Sequence, residues 1–184
     1  MVTQDVVITV TGTNDTPVIT SGAQTATIDE LPATRGSHTP DTAHGTVTFT
    51  DLDLSDTHTV TVTGLTVSGA TSGLPNNATI SSWLSLGSLT DSTNGATGQQ
   101  AWSFSAEDRY FDYLRQDQQL TLTYTVQIDD HHGGVTTQNV TITIDGTNDA
   151  PIIQSETDAP TDGVMVVNPL SPTIEPAGQN TNAL

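Results

Sequence analysis

The stretch Gly12-Thr13-Asn14-Asp15 organises this chain, because the same four residues return as Gly146-Thr147-Asn148-Asp149. Each copy follows an alternating apolar run, and a small residue and a proline, Pro17 or Pro151, come next. Self-similarity at a fixed offset is typical of tandem repeats. The chain is therefore predicted to hold one complete repeat over residues 17–151. The last strand of a preceding repeat and its linker would occupy residues 1–16, and the start of a next repeat or a disordered tail residues 152–184.

The charge and cysteine content of the chain limit what it could bind. The chain has 184 residues, with three basic against 21 acidic side chains and a formal net charge of −18. That charge argues against nucleic acid and anionic membranes as partners, and it favours cations or plain solvation. The absence of cysteine excludes a disulfide framework and a thiolate metal site. No apolar run is long enough for a transmembrane helix, so direct membrane insertion is not expected.

Alternating Val, Ile, Leu and Thr residues predict about seven strands separated by Gly, Asp and Asn turns. This pattern favours an all-β, immunoglobulin/cadherin-like antiparallel β-sandwich. A change of apolar phase at Gly64 predicts a β-bulge or a bend, and a bulge is also expected near Gln138. Residues Ser68 to Gly98 look like a long excursion with one short strand or helical turn. Phe111 and Leu114 are expected to point inward from a helical turn.

Carboxylates are predicted to gather at the end of the sandwich that the incoming linker reaches. The loop from Asp51 to Asp56 and the turn from Asp129 to Gly134 would both lie there. Clustered carboxylates repel one another unless cations compensate them, and oxygen ligands suit Ca²⁺. The simpler alternative is that acidic residues occupy solvated turns. The predicted ligands at this end are Asn14, Asp15, Asp51, Asp53, Asp56, Asp129 and Asp130.

A second cluster is predicted at the opposite end, where the outgoing linker leaves. Asn148 and Asp149 belong to that linker, Glu107 and Asp108 to a helical turn, and Glu30 to the first strand. These five residues form the second candidate Ca²⁺ site. Asp108 alternatively caps the helical turn, since Ser105 to Asp108 has the spacing of a helix start.

No residues single themselves out for catalysis. His131 and His132 invite a Zn²⁺ interpretation, but adjacent residues of extended chain point to opposite faces, and a turn explains both. Trp83 and Trp102 invite a sugar platform, although the strand phase favours a core position for Trp102. The chain has no catalytic triad order, no P-loop and no glycine-rich nucleotide motif. We therefore expect that it is not an enzyme.

Three segments and one hexapeptide resemble the VCBS-type, cadherin-like repeats of large bacterial RTX adhesins. They are Ala101-Trp102-Ser103-Phe104-Ser105, Leu120 to Val126, Asp129 to Gly134, and the closing Gly146 to Pro151, which reads GTNDAP. The resemblance implies a β-sandwich with Ca²⁺ at the joints between tandem repeats. It also implies a spacer role in a secreted cell-surface fibre that supports adhesion and biofilm formation.

The resemblance extends to individual ligands. Asp51-Leu52-Asp53 looks like the cadherin DxD element, and Asn14-Asp15 and Asn148-Asp149 look like the cadherin linker. Ala106 to Arg109 matches the cadherin acidic motif only in part, and Glu30 corresponds by position.

Two functions follow as expectations. The first is a Ca²⁺-binding structural extender whose partners are neighbouring repeats, with a host or surface ligand bound through other domains. The alternative is a carbohydrate- or protein-binding module of an adhesin. A sugar site would need an exposed aromatic beside a metal with open positions, and only the excursion around Trp83 offers one.

Overall fold

The computed structural model describes residues 2–149, and these include two four-stranded sheets packed face to face. One sheet has the order β1-β3-β6-β5 and the other the order β2-β8-β7-β4. The predicted immunoglobulin-like β-sandwich is confirmed. The strands are β1 (Val18–Ile19), β2 (Gln24–Asp29), β3 (Pro40–Thr50), β4 (Thr59–Gly69), β5 (Leu84–Thr90), β6 (Gly98–Glu107), β7 (Gln119–Asp129) and β8 (Val135–Asp145). A short helix α1 (Asn77–Ser81) and two 3₁₀ turns, Thr93–Gly95 and Asp108–Tyr110, complete the elements.

The core follows from period-two alternation, because successive side chains of a strand point to opposite faces. Every second residue of β7, from Leu120 to Ile128, is fully buried, while the threonines between them are half-buried on the outer face. Val140, Ile142 and Ile144 of β8 line the same inner face. Phe49 of β3 and Phe104 of β6 meet them from the opposite sheet, so a mainly aliphatic face packs on an aromatic one.

The chain changes sheets near its beginning. Val18 and Ile19 pair with β3 in the first sheet, and β2 then joins the second sheet beside β8. The β2–β8 pairing is parallel, so the sandwich is not wholly antiparallel as predicted. The reason is that two strands running towards the same end of the sandwich become neighbours when the chain crosses over.

Of the two predicted bulges, one is confirmed and one is wrong. The register of β4 against β7 shifts between Val62 and Gly64. By contrast, β8 pairs with β7 without interruption from Val135 to Asp145. The apparent change of phase near Gln138 arises because Val135 lies on the outer face and is 47% exposed, so its apolar character does not mark the core.

The excursion contains both elements that were offered as alternatives. Asn76 caps α1 by accepting a hydrogen bond from the Thr79 amide, and β5 then pairs with β6. Ile80 of α1 is buried, and its carbonyl accepts a hydrogen bond of 2.8 Å from the Tyr124 hydroxyl. The excursion is therefore part of the packed sandwich. Phe111 and Leu114 are buried as predicted.

Residues 2–16 form no strand, and the side chains of Val6, Ile8 and Val10 are more than four-fifths exposed. The strand predicted here would belong to a preceding sandwich, and the described part of the chain provides no sheet for it. The prediction for residues 152–184 falls outside the described residues. Within residues 2–149, no helix is long and apolar enough to cross a membrane.

Candidate metal centre

The candidate ligands lie at two opposite ends of the sandwich. The N-terminal pole is formed by residues 51–58, 91–97 and 130–134, and the linker 12–16 reaches it. The C-terminal pole is formed by residues 30–41 and 108–118, and the linker 146–149 leaves from it. The sandwich topology thus brings most of the predicted ligands into the two predicted groups.

At the N-terminal pole, Asp130 is fully buried and its carboxylate is already well satisfied. Oδ1 accepts hydrogen bonds from the His132 amide at 2.7 Å and the Gly134 amide at 2.9 Å. Oδ2 accepts one from the Asn14 side chain at 3.0 Å. Burial raises the pKa of Asp130, but these hydrogen bonds outweigh it and the pKa is lowered. Asp130 therefore holds the β7–β8 turn and the incoming linker together.

The next linker residue, Asp15, binds the DxD segment Asp51-Leu52-Asp53. The Asp15 amide donates to Asp53 Oδ2 at 2.6 Å, and the Asp53 amide donates to Asp51 Oδ1 at 2.8 Å. Asp51 is buried and Asp53 is half-buried. These bonds fix the linker backbone on the β3–β4 loop. Carboxylate oxygens at this pole thus accept hydrogen bonds from N–H groups of the protein itself.

A buried histidine that the sequence did not indicate compensates part of the charge. His58 Nδ1 lies 2.6 Å from Asp91 Oδ1, and its Nε2 lies 3.1 Å from Asp51 Oδ2. Burial lowers the pKa of His58, but the bonds to the two carboxylates outweigh it and the pKa is raised. The imidazole ring packs edge-on against Phe49, with ring centroids 5.0 Å apart. Both ring nitrogens of His58 thus face carboxylates, an arrangement that favours the protonated ring, and His58 belongs to no motif that could reveal it.

The remaining carboxylates of the pole, Asp56 and Asp129, sit at its edge. Asp56 Oδ2 is buried and has no hydrogen-bond partner; His132 Nδ1 lies 3.2 Å away, but it forms its hydrogen bond with the Asp130 carbonyl oxygen, at 2.9 Å. Asp129 Oδ1 accepts a hydrogen bond from the His131 amide. His131 has a φ of 64°, as expected of a turn residue. The two histidines face different carboxylates, which fits the turn interpretation.

At the C-terminal pole, Glu30 is fully buried at the end of β2. Its Oε1 accepts hydrogen bonds from the Thr147 amide at 2.8 Å and the Thr147 hydroxyl at 2.7 Å. Its Oε2 is buried without a partner. Burial raises the pKa of Glu30 against the lowering effect of the Thr147 bonds, and the charges of Asp149 and Asp108 raise it further. Glu30 therefore carries an uncompensated oxygen among like charges.

Asp108 and Asp149 bind the same loop. Asp108 is fully buried, and its Oδ1 accepts a hydrogen bond of 2.8 Å from the Leu31 amide. Asp149 Oδ1 accepts one of 2.6 Å from the Ala33 amide. Asp108 does not cap the 3₁₀ turn that it begins, since that turn has no side-chain cap. Asn148 is exposed.

Glu107 does not join this group. Its carboxylate pairs with Arg109 and with His38 Nδ1, the latter at 3.1 Å. The His38 and Arg109 bonds lower the pKa of Glu107. Glu107 is the last residue of β6, and alternation along this strand buries Ala106 and points Glu107 the other way. Its predicted partnership with Asp108 therefore has no geometric support here.

Asp41 completes the cluster in place of Glu107. It is only 7% exposed, and its Oδ2 has no hydrogen-bond partner. Burial raises the pKa of Asp41 to about 6, and the charges of Asp108 and Glu30 contribute. Asp41 pairs across the sheet with Ala106, two residues before Asp108. No sequence motif contains it, because the sheet register alone brings it here.

The two poles differ in how well their carboxylates could hold a cation. Among residues 2–149, no three acidic or histidine side chains already converge as an ion cage. Buried carboxylate oxygens without a partner are nevertheless concentrated at the C-terminal pole, where Glu30, Asp41, Asp112 and Asp145 each carry one. A buried anionic oxygen without a donor is costly. The C-terminal pole therefore fits a hard cation better than the N-terminal pole, where protein donors already satisfy most of the carboxylates.

Comparison with solved structures finds distant neighbours of this chain. No family model and no curated protein matches the chain. It is similar to the ASH/PapD-like domain 7 of human CEP192, with a TM-score of 0.38 and 10% identity, covering 82% of this chain and 99% of that one. It is also similar to AggA, the major subunit of aggregative adherence fimbriae type I from Escherichia coli, with a TM-score of 0.34, 15% identity and coverage of 73% and 98%. Both TM-scores and identities are low, so neither protein's function transfers to this chain.

Proposed function

We propose that this chain is a Ca²⁺-binding extender repeat of a bacterial cell-surface adhesin, without catalytic activity. One observation carries the proposal: buried carboxylates that lack donors lie beside a linker whose sequence recurs at the opposite pole. The partners would be neighbouring repeats of the same protein, and any host or surface ligand would bind through other domains. The protein would be secreted and displayed outside the cell, supporting adhesion and biofilm formation.

The residues that would hold the cation are Glu30, Asp41, Asp108 and Asp149. Bound Ca²⁺ would supply positive charge beside these four carboxylates. This pole contains Arg35, Arg109 and Arg115, but within residues 2–149 none of them forms an ion pair with the four, and Arg109 pairs with Glu107 instead. Glu30 and Asp149 each already use one oxygen on the protein. Their second oxygens would remain for the ion, because Ca²⁺ takes six to eight oxygen ligands in flexible geometry.

Thermal melts of the full chain in Ca²⁺, Mg²⁺ and EDTA test the proposal. Extracellular modules bind Ca²⁺ with Kd of about 10⁻⁴–10⁻³ M. At a free concentration of a hundred times Kd, one site adds roughly 2.7 kcal/mol to the free energy of unfolding. Asp108→Asn should remove most of this gain, whereas the exposed Asp117→Asn makes the same charge change and should retain it. Identical melts in Ca²⁺ and EDTA would refute a metal role.

The alternative of a carbohydrate-binding module depended on an exposed tryptophan, and both tryptophans are buried. Trp83 is 7% exposed and packs against Phe104, Tyr110 and Phe111 in the core. Trp102 is also buried, and its Nε1 donates to Gln24 Oε1 at 2.9 Å. Neither ring is available as a sugar platform. A glycan array with the full chain tests this alternative directly.

A further inference from the structure

The two copies of the GTND linker contact the sandwich through different atoms. The second copy leaves the C-terminal pole, and its first two residues bind there. The Gly146 amide donates to Gln118 O at 2.9 Å, and Thr147 donates both its amide and its hydroxyl to Glu30. A Cβ at position 146 would lie 2.8 Å from Leu114 Cβ and would overlap the Arg115 carbonyl, so glycine is needed there.

The first copy reaches the N-terminal pole, and there its last two residues bind. The Asn14 side chain donates to Asp130, and the Asp15 amide donates to Asp53. Pro17, directly after the linker, is buried. A Cβ at Gly134 would lie 2.9 Å from Thr16 Cα, so this turn also has its backbone close to the linker. Gly12 has no neighbour within 4 Å of an added Cβ.

The two sets of contacts do not compete for any atom. Glycine and threonine are engaged in the outgoing copy, and the asparagine side chain is engaged in the incoming copy. The aspartate is engaged in both, but through its carboxylate at Ala33 in one and through its amide at Asp53 in the other. A single GTND linker could therefore make both sets of contacts at once.

We propose that one GTND linker binds two consecutive repeats at the same time through hydrogen bonds that need no metal. We call this arrangement the clasp. The partner surface is the N-terminal pole of a following copy of this repeat, recognised by Asn148 through a carboxylate equivalent to Asp130. The inference rests on the tandem arrangement in the proposed function, but not on Ca²⁺. Each repeat contributes one buried carboxylate as the principal acceptor, Glu30 before the linker and Asp130 after it.

The clasp brings the two repeats close together. Thr147, which binds Glu30, is adjacent in sequence to Asn148, and consecutive Cα atoms are about 3.8 Å apart. The facing poles are therefore separated by little more than the linker itself. Neutral donors of the linker lie between carboxylates of both repeats, so the joint holds donors for these anions even without a cation.

A first experiment uses the single chain in EDTA, with each variant matched by the same change in the other linker copy. Asn14→Ala and Thr147→Val each remove a donor to a buried carboxylate, and each should lower Tm by about 2–4 °C. Asn148→Ala and Thr13→Val change the same residue types where the sandwich is not contacted, and should leave Tm unchanged. Equal effects within either pair would overturn the assignment of contacts.

The decisive experiment uses a tandem chain, residues 1–150 followed directly by residues 17–184, in EDTA. ¹⁵N relaxation should show partly common tumbling: both repeats should have a longer rotational correlation time than the single chain, although the angle between them still varies. Asn148→Ala in the interior linker should shorten that time for both repeats, because they then tumble more independently. The same substitution in the last linker is the matched control and should change nothing. If the interior substitution behaves like the control, there is no clasp.

The outcomes separate the clasp from the proposed function. Stiffening by Ca²⁺ together with no effect of Asn148→Ala in EDTA would remove the clasp and leave the Ca²⁺-dependent extender. A loss of common tumbling in the Asn148→Ala variant, together with no response of the tandem chain to Ca²⁺, would leave the clasp and remove the Ca²⁺ dependence.

Discussion

Asp41 is a residue whose charge opposes folding in the absence of metal. Its pKa is raised from 3.8 to about 6 by burial and by the charges of Asp108 and Glu30. A carboxyl with a raised folded-state pKa is easier to protonate in the folded protein. Its ionisation therefore reduces the free energy of unfolding progressively from about pH 4 to pH 6, and fully above that.

Asp41→Asn should consequently stabilise the metal-free chain by roughly 2–3 kcal/mol at pH 7, since one pKa unit corresponds to about 1.4 kcal/mol. The gain over the unmodified chain should vanish near pH 4. Urea unfolding in EDTA at pH 4, 5, 6 and 7 measures it. In saturating Ca²⁺ the order should reverse, because the variant lacks a ligand. A gain independent of pH would show that the ionised Asp41 carboxylate is not the cause.

His58 also makes the protein less stable as the pH rises, but here the charged form favours folding, whereas the charged form of Asp41 opposes it. The pKa of His58 is raised, because hydrogen bonds to Asp51 and Asp91 outweigh the effect of burial. The stabilisation is therefore complete below the unfolded-state pKa of about 6.5 and is lost as the pH rises through the folded-state value. His58→Gln leaves a buried carboxylate without its cation and should cost about 3 kcal/mol at pH 6.

The cost of His58→Gln should be smaller at pH 9.5 than at pH 6, because the stabilisation by the charged imidazole is lost as the pH rises through its raised pKa. Urea unfolding at both pH values compares the two. His44→Gln, at an exposed position of β3, is the matched control and should be close to neutral. A cost that is equal at both pH values would mean that His58 acts through packing alone.

At the scale of elements, Gly45 and Trp102 join the two sheets. They are direct cross-strand partners in β3 and β6, and a Cβ at position 45 would lie 2.5 Å from the indole. The indole therefore lies over the glycine backbone, and its Nε1 reaches Gln24 in the other sheet. Gly45→Ala would displace the ring and break that bond.

Gly45→Ala should lower the free energy of unfolding by about 1–3 kcal/mol, as overpacking of a core does. Tryptophan fluorescence during guanidinium unfolding measures the loss. Gly22→Ala, where an added Cβ meets nothing within 4 Å, is the control and should be nearly neutral. An unchanged midpoint for Gly45→Ala would show that the indole can move without cost.

Strand positions were largely predictable because alternation is a local property of the sequence. The strand around Leu120 to Ile128 and the bulge at Gly64 both followed from it. The crossover of β2 was not predictable, since a parallel neighbour depends on where the chain passes between the sheets. The false bulge near Gln138 came from treating Val135 as a core residue, although it lies at a strand end on the outer face.

The grouping of acidic residues into two poles was also predictable, because loop order fixes which turns share an end. Individual side-chain directions were not. Glu107 and Asp108 are adjacent, yet one pairs with Arg109 in solvent and the other is buried. Asp41 reaches its carboxylate neighbours through sheet register, and His58 does so from the loop between β3 and β4. Neither residue belongs to a motif in the local sequence.

At the scale of the whole molecule, a net charge of −18 would make joints between tandem repeats sensitive to cations. Consecutive repeats would bring Glu30, Asp108 and Asp149 of one next to Asp53 and Asp130 of the other. Repulsion between such clusters favours separated or swinging domains, and a divalent cation removes it. The hydrogen-bonded clasp limits where the linker runs, while the ion would set the angle between the repeats.

Small-angle scattering on the tandem chain tests whether Ca²⁺ sets the angle between the repeats while the clasp holds the linker. In millimolar Ca²⁺ the maximum dimension should be long and well defined, and in EDTA the distance distribution should broaden. Asp149→Asn in the interior linker should stay broad in Ca²⁺, because it removes a charged ligand. The amide oxygen of the variant still accepts the Ala33 hydrogen bond, so its clasp should persist, and the common tumbling in EDTA should not change. Identical scattering in Ca²⁺ and EDTA would mean that packing and the clasp alone set the angle, and the Ca²⁺-stiffened extender would have to be abandoned.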